Sequence, residues 1–221
     1  MSLPDWQKID TVLLDMDGTL LDLHFDNHFW LVHVPAAYAR KHGLSNEAAL
    51  AELNKSFIGL RGTLNWYCLD YWSELTDLPI AKLKEDVADK IRFRPHVREF
   101  LQLLGKAGKR RVIVTNAHRD SVNLKFDRTG LDQLVDRVIS SHDYQEPKES
   151  QAFWDHLQQQ EQFDPERTLL IDDSEAVLES AQRWGIRHLL AIYHPDSQKA
   201  PVVSERFPGI HHFNELNEPD S

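Results

Sequence analysis

Five short apolar segments, four of them followed by a helical pattern, place the strongest constraint on the fold of this chain. Segments of this length, bounded by polar residues, are typical of strands buried on both faces of a parallel sheet. Strands that alternate with helices predict an α/β fold with a doubly wound, Rossmann-like parallel sheet. The predicted strands are residues 11–14, 111–115, 135–140, 168–171 and 187–192, and the predicted helices are residues 95–106, 119–129, 149–160 and 174–184.

The connection between the first two predicted strands, residues 15–110, is unusually long. A crossover between parallel strands typically needs about a dozen residues. Residues 29–41 and 64–75 show helical periodicity, and the connection has little strand pattern. We therefore expect an all-helical domain over residues 23–92, inserted into a core formed by residues 1–22 and 93–221.

Composition and charge limit the classes of partner. The 221 residues are 41% hydrophobic and 27% charged, as in ordinary globular proteins. No apolar run approaches the roughly 18 residues of a membrane span, so we expect no membrane partner. The formal net charge of −10 disfavours binding to nucleic acid, because such binding is driven by cationic groups that release counterions.

The cysteine content and the N-terminal sequence bear on the cellular compartment. Cys68 is the single cysteine, which excludes an internal disulfide and suits a reducing compartment. Residues 1–10 lack the basic segment and following apolar stretch of a secretory signal peptide. We therefore expect a cytoplasmic protein.

Charged side chains follow the first predicted strand, in the stretch LLDMDGTLLD at residues 13–22. Asp15 and Asp17 are two positions apart, so they project to the same side if the extended backbone continues. Gly18 permits a sharp turn directly after them. Because ligands of open parallel sheets bind beyond the carboxyl ends of the strands, this pair forms a candidate ligand site.

Polar residues also follow three later predicted segments. The sequence VIVTNA places Thr115 and Asn116 at the end of the second strand, and LLIDDSE places Asp172 and Asp173 at the end of the fourth. The sequence EPKES places Lys148 just before a helix. Since the carboxyl ends of parallel strands meet at one edge of the sheet, we expect these side chains to converge with the first pair.

This set of side chains favours phosphoryl transfer. Clustered carboxylates repel one another unless a hard cation is present, and Mg²⁺ takes oxygen ligands while keeping positions for water and phosphate. Lys148 would neutralise a phosphate and Thr115 would hydrogen-bond to it. One carboxylate could then attack phosphorus to give an aspartyl-phosphate, while a second aspartate protonates the leaving oxygen and later activates water.

The whole pattern resembles the haloacid dehalogenase (HAD) superfamily of phosphatases. Its four motifs are matched by DMDGT, VIVT, Lys148 and IDDS, over a core from residue 11 to about residue 192. The resemblance implies that Asp15 is the nucleophile and a metal ligand. It also implies that Asp17 is the general acid and base, and a metal ligand through its backbone carbonyl.

The resemblance assigns roles to the remaining motif residues as well. Thr115 and Lys148 are implied to hold the phosphate, with Asn116 as a further candidate. Asp173, which precedes the serine of IDDS, is implied to contact Mg²⁺ directly, and Asp172 is either its support or an additional ligand. Asp172 could instead cap the following helix or orient Lys148.

The predicted helical insertion resembles the first cap class of the superfamily, which lies between the first two motifs and closes over the site. Closure excludes water and brings specificity residues over the leaving group. The stretch RGTLNWYCLDYWSE, with DGTLLDLHFDNHFW and IDDSEAVLESA, is similar to bacterial purine 5'-nucleotidases of the family, which hydrolyse GMP and IMP. The implied substrate is a purine nucleoside monophosphate.

Two other functions compete with a Mg²⁺-dependent nucleotidase. A phosphatase or phosphomutase for a small sugar phosphate or a phosphoglycolate-like metabolite would use the same aspartyl-phosphate, and only the cap resemblance favours a nucleotidase. A binding protein without activity is disfavoured because Asp15 and Asp17 are both present.

Several neighbouring residues have a structural interpretation beside the functional one. Asn116 could orient Asp15 or contact the phosphate, but it could equally be a turn residue. Asp22 and Asp26 lie just beyond the first motif and are expected to be solvated hinge residues, not metal ligands. The many charges in residues 82–94 predict a solvated cap helix.

Aromatic side chains recur at helical spacing in the second half of the predicted insertion. Such a stripe is more often part of a helical core than a surface that stacks on a nucleobase, and we expect a core role. The stripe consists of Trp66, Tyr67, Tyr71 and Trp72.

Overall fold

A computed structural model of the chain describes residues 4–216, so the outer ends of the predicted core, residues 1–3 and 217–221, lie outside the described residues. A six-stranded sheet has the order β3-β2-β1-β4-β5-β6, and every neighbouring pair is parallel. This confirms the predicted α/β fold with a doubly wound parallel sheet. The strands are β1 (Thr11–Leu14), β2 (Arg110–Thr115), β3 (Arg137–Ser140), β4 (Thr168–Asp172), β5 (His188–Ile192) and β6 (Gly209–Ile210).

Successive strand residues point to opposite faces of the sheet, and all residues of β1 and β4 are buried, so both faces of the sheet are covered there. Val12 and Leu14 of β1 pack into one hydrophobic cluster together with Phe100. Leu13 packs into a second cluster, which contains Trp154. Burial of each such side chain contributes about 2 kcal/mol to folding, so the apolar strands fix where their polar carboxyl ends lie.

Helices fill the connection from β1 to β2 and flank the sheet elsewhere. None in the described part of the chain is long and apolar enough to cross a membrane. In chain order they are α1 (His24–His28), α2 (Val34–His42), α3 (Asn46–Leu60), α4 (Leu64–Tyr67), α5 (Leu69–Thr76), α6 (Ile80–Glu85), α7 (Val97–Lys106), α8 (Arg119–Thr129), α9 (Gln151–Glu161) and α10 (Glu175–Trp184).

The helices beside the sheet lie close to their predicted limits, and α8 has the predicted limits. Helix α7 begins two residues late because His96 has a left-handed backbone, with φ 65°. Helix α9 also begins two residues late, because Ser150 caps it by accepting a hydrogen bond from the amide of Ala152. Glu149 therefore lies outside the helix, where its side chain can make other contacts.

Strand β6 is absent from the sequence-based prediction. It is only two residues long and pairs with β5. A Cβ at Gly209 would lie 2.6 Å from the carbonyl oxygen of Ala191, so a glycine is needed for this close approach. Two residues carry no periodicity that could predict a strand.

Residues 23–92, here called the helical insert, contain α1–α6 and no strand. The two segments that connect them to the sheet lie side by side. The amide of Asp22 donates to the carbonyl of Arg92 (2.9 Å), and the amide of Arg94 donates to the carbonyl of Leu20 (3.0 Å). The exact boundaries of the insert stay a prediction, but this pairing brings both of its ends to one place.

The helices of the insert are more broken than their periodicity predicts. The predicted helix over residues 64–75 is interrupted at Cys68, which has an extended backbone (φ −84°, ψ 112°). The carbonyl of Trp66 accepts a hydrogen bond from the indole of Trp72 (3.0 Å). The predicted helix over residues 29–41 starts with a π-helical segment, Phe29–His33, before Pro35, which has no amide to donate.

The prediction of a solvated helix over residues 82–94 is wrong for the helix and for two of its cations, although Lys82, Glu85, Asp86, Asp89 and Arg92 are exposed as expected. Helix α6 ends at Glu85, and a separate 3₁₀ turn, Ala88–Lys90, follows it. Lys84 and Arg94 are 3% and 4% exposed. Charge in the sequence suggested exposure, but each of these cations is buried against acceptors from distant parts of the chain.

Candidate active site

Polar side chains gather at the carboxyl ends of β1, β2 and β4. Strand β1 lies between β2 and β4, and the strand order runs outwards from β1 in both directions, to β2 and β3 on one side and to β4, β5 and β6 on the other. Such a change of direction opens a crevice at the carboxyl ends of the strands. Asp15 follows β1 directly, and its amide donates to the carbonyl of Ile171 on β4 (3.0 Å). Thr115 and Asp172 are the last residues of β2 and β4. The sheet therefore brings residues of three separate motifs together.

Lys148 lies between two of the carboxylates. Its Nζ is 2.5 Å from Asp15 Oδ1 and 2.7 Å from Asp172 Oδ2, and it also donates to the carbonyl of Val114 (3.1 Å). Burial alone would lower the pKa of Lys148, but the two carboxylates outweigh it and raise that pKa above its ordinary value. A charged ammonium is therefore held inside the site.

Three carboxylates form a compact cluster of oxygens. One oxygen from each of Asp15, Asp172 and Asp173 lies within 4.8 Å of the others. Burial raises the pKa of Asp15 to about 6, although Lys148 opposes the shift. Burial and the charges of Asp15 and Asp172 raise the pKa of Asp173 well above its ordinary value. A hard cation would relieve this repulsion, and the all-oxygen donor set fits Mg²⁺.

Asp172 has both carboxylate oxygens engaged. Its Oδ2 contacts Lys148, and its Oδ1 accepts from the amide of Ser174 (2.9 Å), just before α10. The geometry thus contains one structural role considered for this residue, orientation of the lysine; Ser174 is the N-cap of α10, which has no side-chain cap hydrogen bond. A direct role of Asp172 as a metal ligand stays a prediction.

Asn116 holds the segment that carries Lys148. Its Oδ1 accepts from the backbone amide of Lys148 (2.9 Å), and its Nδ2 donates to Glu149 Oε2 (3.0 Å). Glu149 Oε1 in turn accepts from the hydroxyl of Tyr67 in the helical insert (2.8 Å). Asn116 is therefore more than a turn residue, and its contact with a phosphate stays a prediction.

Thr115 is buried, with its hydroxyl at the end of β2. Its Oγ1 accepts from the amide of Ala117 (3.1 Å). A hydroxyl that accepts from an amide still has its own proton to donate. This suits the predicted hydrogen bond to a phosphate oxygen.

Asp17 is paired with a lysine that the sequence motifs do not include. Lys125 Nζ, on α8, is 2.7 Å from Asp17 Oδ2. Asp17 Oδ1 is buried and has no hydrogen-bond partner within residues 4–216. Burial raises the pKa of Asp17 to about 6; Lys125 opposes the shift and the charge of Asp26 adds to it. A carboxyl group with a raised pKa and one unengaged oxygen is suited to donate a proton.

Asp26 is not the solvated hinge residue that its position beyond the first motif predicts. Its carboxylate oxygens lie 2.7 Å from Lys84 Nζ and 2.8 Å from Lys125 Nζ. Burial alone would raise the pKa of Asp26, but these two lysines lower it to about 2. The prediction failed because both cations come from distant parts of the chain. Asp22 accepts from two backbone amides through Oδ1 and stabilises the turn there.

A cavity of about 840 Å³ extends from this edge of the sheet to the helical insert. Asp15, Asp17 and Lys148 line its polar end. This volume is typical of small-molecule sites, and a lining with both charged and aromatic side chains suits a ligand with one anionic group and one flat apolar group. The aromatic residues that line it are Trp30, Phe57, Trp66, Tyr67 and Trp72.

One residue of the aromatic stripe in the insert, Trp72, belongs to the hydrophobic core. Trp72 is 1% exposed, and its ring centroid lies 5.1 Å from that of Phe57 and 5.5 Å from that of Trp30. The expected core role therefore applies to Trp72. Trp66 and Tyr67 are half-buried beside the cavity, so they are also available to a ligand.

The sequence motifs do not include Lys84, Lys125 and Glu149, whose side chains contact residues of the site. Lys125 follows Ser121 and Val122 by four and three residues, and all three are buried. A lysine on the buried face of an amphipathic helix was the one available signal. Glu149 was assigned to a helix, and nothing in the spacing indicates its contact with the helical insert.

The chain is similar in sequence to proteins of known activity. The family profile described as haloacid dehalogenase-like hydrolase matches residues 9–185. The GMP/IMP nucleotidase YrfG of Escherichia coli (strain K12) is 41% identical over 211 residues, which cover 96% of this chain and 95% of that protein. The GMP/IMP nucleotidase YrfG of Shigella flexneri has the same identity and coverage.

Solved structures share the fold. The HAD phosphatase from Thermococcus onnurineus has a TM-score of 0.79 at 23% identity and covers 94% of this chain and 95% of its own. A putative β-phosphoglucomutase from Thermotoga maritima has a TM-score of 0.62 at 18% identity and covers 84% and 86%. At these identities the likeness concerns the fold alone. The profile match and the nearly full-length relatives confirm what the strand-end motifs predict: this chain is an enzyme of the haloacid dehalogenase-like hydrolase family.

Proposed function

We propose that this enzyme is a Mg²⁺-dependent phosphomonoesterase that forms an aspartyl-phosphate on Asp15 and hydrolyses purine nucleoside monophosphates such as GMP and IMP. The position of Asp15 carries the proposal, because it is buried beside a charged lysine and two further carboxylates at the end of a cavity. The 41% identity to GMP/IMP nucleotidases supports the substrate class.

The phosphate binds at the polar end of the cavity. Lys148 donates to a phosphate oxygen, and the Thr115 hydroxyl and the backbone amides after Asp15 donate to the others. Asn116 keeps Lys148 in place through its backbone amide. Because the three N–H groups of Lys148 already donate to Asp15, Asp172 and the carbonyl of Val114, one of these bonds is exchanged for the bond to the phosphate.

The carboxylate cluster and the first motif hold the metal. Asp15, Asp173 and the backbone carbonyl of Asp17 are its ligands, with Asp172 as an additional ligand or as the support of Lys148. When bound, Mg²⁺ supplies positive charge that offsets the clustered carboxylates and the phosphate.

Asp15 and Asp17 divide the chemistry between them. A carboxylate oxygen of Asp15 forms a bond to phosphorus while the bond to the ester oxygen breaks, and Asp17 gives its carboxyl proton to that leaving oxygen. Asp17, now a carboxylate, then takes a proton from water. The water oxygen bonds to phosphorus, the bond to Asp15 breaks, and inorganic phosphate leaves.

The helical insert acts as a cap and selects the substrate. Its aromatic side chains line the cavity and offer apolar surface to a purine ring. Cap closure excludes water from the phosphoryl group. Cys68 is a free cysteine, which suits a reducing compartment, and we place the enzyme in the cytoplasm.

The proposal is tested by phosphate release from a panel of substrates. The panel contains GMP, IMP, AMP, pyrimidine monophosphates, phosphoglycolate and hexose phosphates, each with Mg²⁺ and with EDTA. We expect kcat/KM for GMP and IMP to exceed that for the sugar phosphates by at least about tenfold, and we expect EDTA to abolish turnover until Mg²⁺ is added. A preference for sugar phosphates would contradict the nucleotidase assignment, and activity indifferent to chelation would contradict the metal assignment.

A further inference from the structure

Three side chains that commonly bind metal ions, and that the proposed mechanism does not use, lie together beside the cavity. Cys68, His118 and His142 each offer one ligand atom, and these three atoms lie within 4.8 Å of one another. The group is separate from the clustered carboxylates of the candidate active site. A thiol and two imidazoles are typical ligands of Zn²⁺, whereas Mg²⁺ prefers oxygen ligands.

The core holds the two histidines next to each other. His118 lies just before α8, and His142 lies in a short 3₁₀ helix that follows β3. The hydroxyl of Ser140 donates to the carbonyl of Ala117 (2.8 Å), which ties the two segments together. The centroids of the two imidazole rings are 5.0 Å apart. Two of the three ligands are therefore in place before an ion binds.

One ring nitrogen of His142 lacks a hydrogen-bond partner. Its Nε2 is buried, and no group within residues 4–216 bonds to it, although the ring has a hydrogen bond with the backbone of Asn116. Leaving a buried polar atom unpaired is costly. A hydrogen bond that orients an imidazole, together with a nitrogen free to coordinate, is the usual arrangement of a histidine that binds metal.

The spacing of the three ligand atoms suits a single ion. Three atoms no more than 4.8 Å apart have a common point within about 2.8 Å of each, and Zn²⁺ binds nitrogen at about 2.0 Å and sulfur at about 2.3 Å. Movements of less than about 1 Å bring all three to these distances. Asp70 is exposed, and its Oδ2 lies 3.5 Å from His118 Nε2, so it can supply a fourth ligand.

We propose that Cys68, His118 and His142 bind one Zn²⁺ that links the helical insert to the core beside the cavity. Cys68 belongs to the insert and the two histidines belong to the core, so the ion joins the two parts. The thiol releases its proton to water as the sulfur binds. The ion stabilises the arrangement in which the insert packs beside the strand ends. This inference is independent of the nucleotidase assignment, because none of the proposed reacting groups belongs to the site.

Cobalt binding tests the site directly, because Co²⁺ takes the same ligands as Zn²⁺ and its absorption spectrum reports them. Enzyme treated with EDTA and dialysed is titrated with Co²⁺ in excess Mg²⁺, which occupies the carboxylate cluster. We expect one Co²⁺ per chain, with a thiolate-to-cobalt charge-transfer band that Zn²⁺ abolishes. A wild-type enzyme without this band would overturn the proposal.

Variants identify the ligands. Cys68→Ser should lose the charge-transfer band, and His142→Asn should weaken Co²⁺ binding at least about 100-fold. His156→Asn replaces an exposed histidine on α9 and should bind Co²⁺ as the wild type does. Asp173→Asn removes a carboxylate of the proposed Mg²⁺ site and should keep both the band and the affinity. Unchanged affinity in His142→Asn, or weaker affinity in folded Asp173→Asn, would overturn the proposal.

Urea unfolding tests the link between the insert and the core. In excess Mg²⁺, added Zn²⁺ should raise the urea midpoint of the wild type, because the ion binds only where the folded chain brings the ligands together. It should not raise the midpoint of Cys68→Ser. If Cys68→Ser does not unfold cooperatively, His118→Asn takes its place. An equal rise in the wild type and the variant, or no rise in the wild type, would overturn the proposal.

Discussion

At the scale of single residues, one glycine determines how closely the first motif approaches the acidic pair. Gly18 has a φ of +87°, a left-handed conformation that only glycine adopts without strain. A Cβ at this position would overlap the carboxylate of Asp173. The glycine of DMDGT therefore permits the turn after Asp17 and leaves room for the carboxylate of Asp173.

Gly18→Ala should impair the metal site as well as the fold. Gly43, at the end of α2, is a matched control, since its φ is +66° and nothing lies within 4 Å of a Cβ placed there. The left-handed backbone should cost each alanine variant about 1 kcal/mol in the free energy of unfolding, and Gly18→Ala should lose more because its Cβ meets the Asp173 carboxylate. Only Gly18→Ala should need more Mg²⁺ for half-maximal phosphate release, by about 10- to 100-fold. An unchanged Mg²⁺ requirement would contradict the role assigned to Asp173.

The residues at the strand ends could be predicted from the sequence, and their supporting partners could not. Asp15, Thr115 and Lys148 follow or precede recognisable elements, so position along the chain indicates where they meet. Lys125 and Asp26 meet only because α8 and α1 pack together. A charge gives no local sign of whether a distant partner will compensate it.

At the scale of elements, a short 3₁₀ helix after β3, Ser141–Asp143, packs against the end of β2 through His142. Burial lowers the pKa of His142 to about 4; the charge of His118 adds to the shift, and a hydrogen bond with the backbone of Asn116 opposes it. In the folded state His142 therefore stays neutral at a pH at which the unfolded chain already binds a proton.

The lower pKa of His142 in the folded state predicts how the stability of the protein depends on pH. The pKa of His142 in the folded state is below the unfolded value of 6.5. The contribution of this residue to the free energy of unfolding is therefore fully present above pH 6.5 and is lost as the pH falls towards 4. His142→Asn removes the titrating group. Urea midpoints measured at pH 7.5 and pH 4.5 should therefore fall less in the variant than in the wild type. Equal falls would contradict the assigned burial.

Elements with long apolar or amphipathic patterns were predictable, and short or interrupted ones were not. Five strands and the four helices beside the sheet follow from periodicity, and α8 has its predicted limits. The break at Cys68 arises where Trp72 bonds to the carbonyl of Trp66. That contact depends on side-chain packing within the insert, so helical spacing alone suggested an uninterrupted helix.

At the scale of the whole molecule, the core and the helical insert share one hydrophobic cluster. Phe29 and Trp72 of the insert belong to the same cluster as Val12 and Ile113 of the sheet. The ion pair between Lys125 on α8 and Asp26 on α1, and the hydrogen bond from Tyr67 to Glu149, add polar links between the two parts. The insert thus packs against the core beside the strand ends, and its aromatic residues line the same cavity as the carboxylates.

The nucleophilic role of Asp15 is tested most directly by phosphate release from IMP in the presence of Mg²⁺, with wild type, Asp15→Asn and Asp10→Asn compared. Asp10 precedes β1 at the opposite end and pairs with Arg167 at the surface. In Asp15→Asn, Asp172 still pairs with Lys148, so the fold and the urea midpoint should be retained.

We expect Asp15→Asn to lower kcat by about 10⁴-fold or more, and Asp10→Asn to match the wild type. Asp15→Asn that is folded and keeps more than about 1% of the wild-type rate would contradict the nucleophilic role of Asp15.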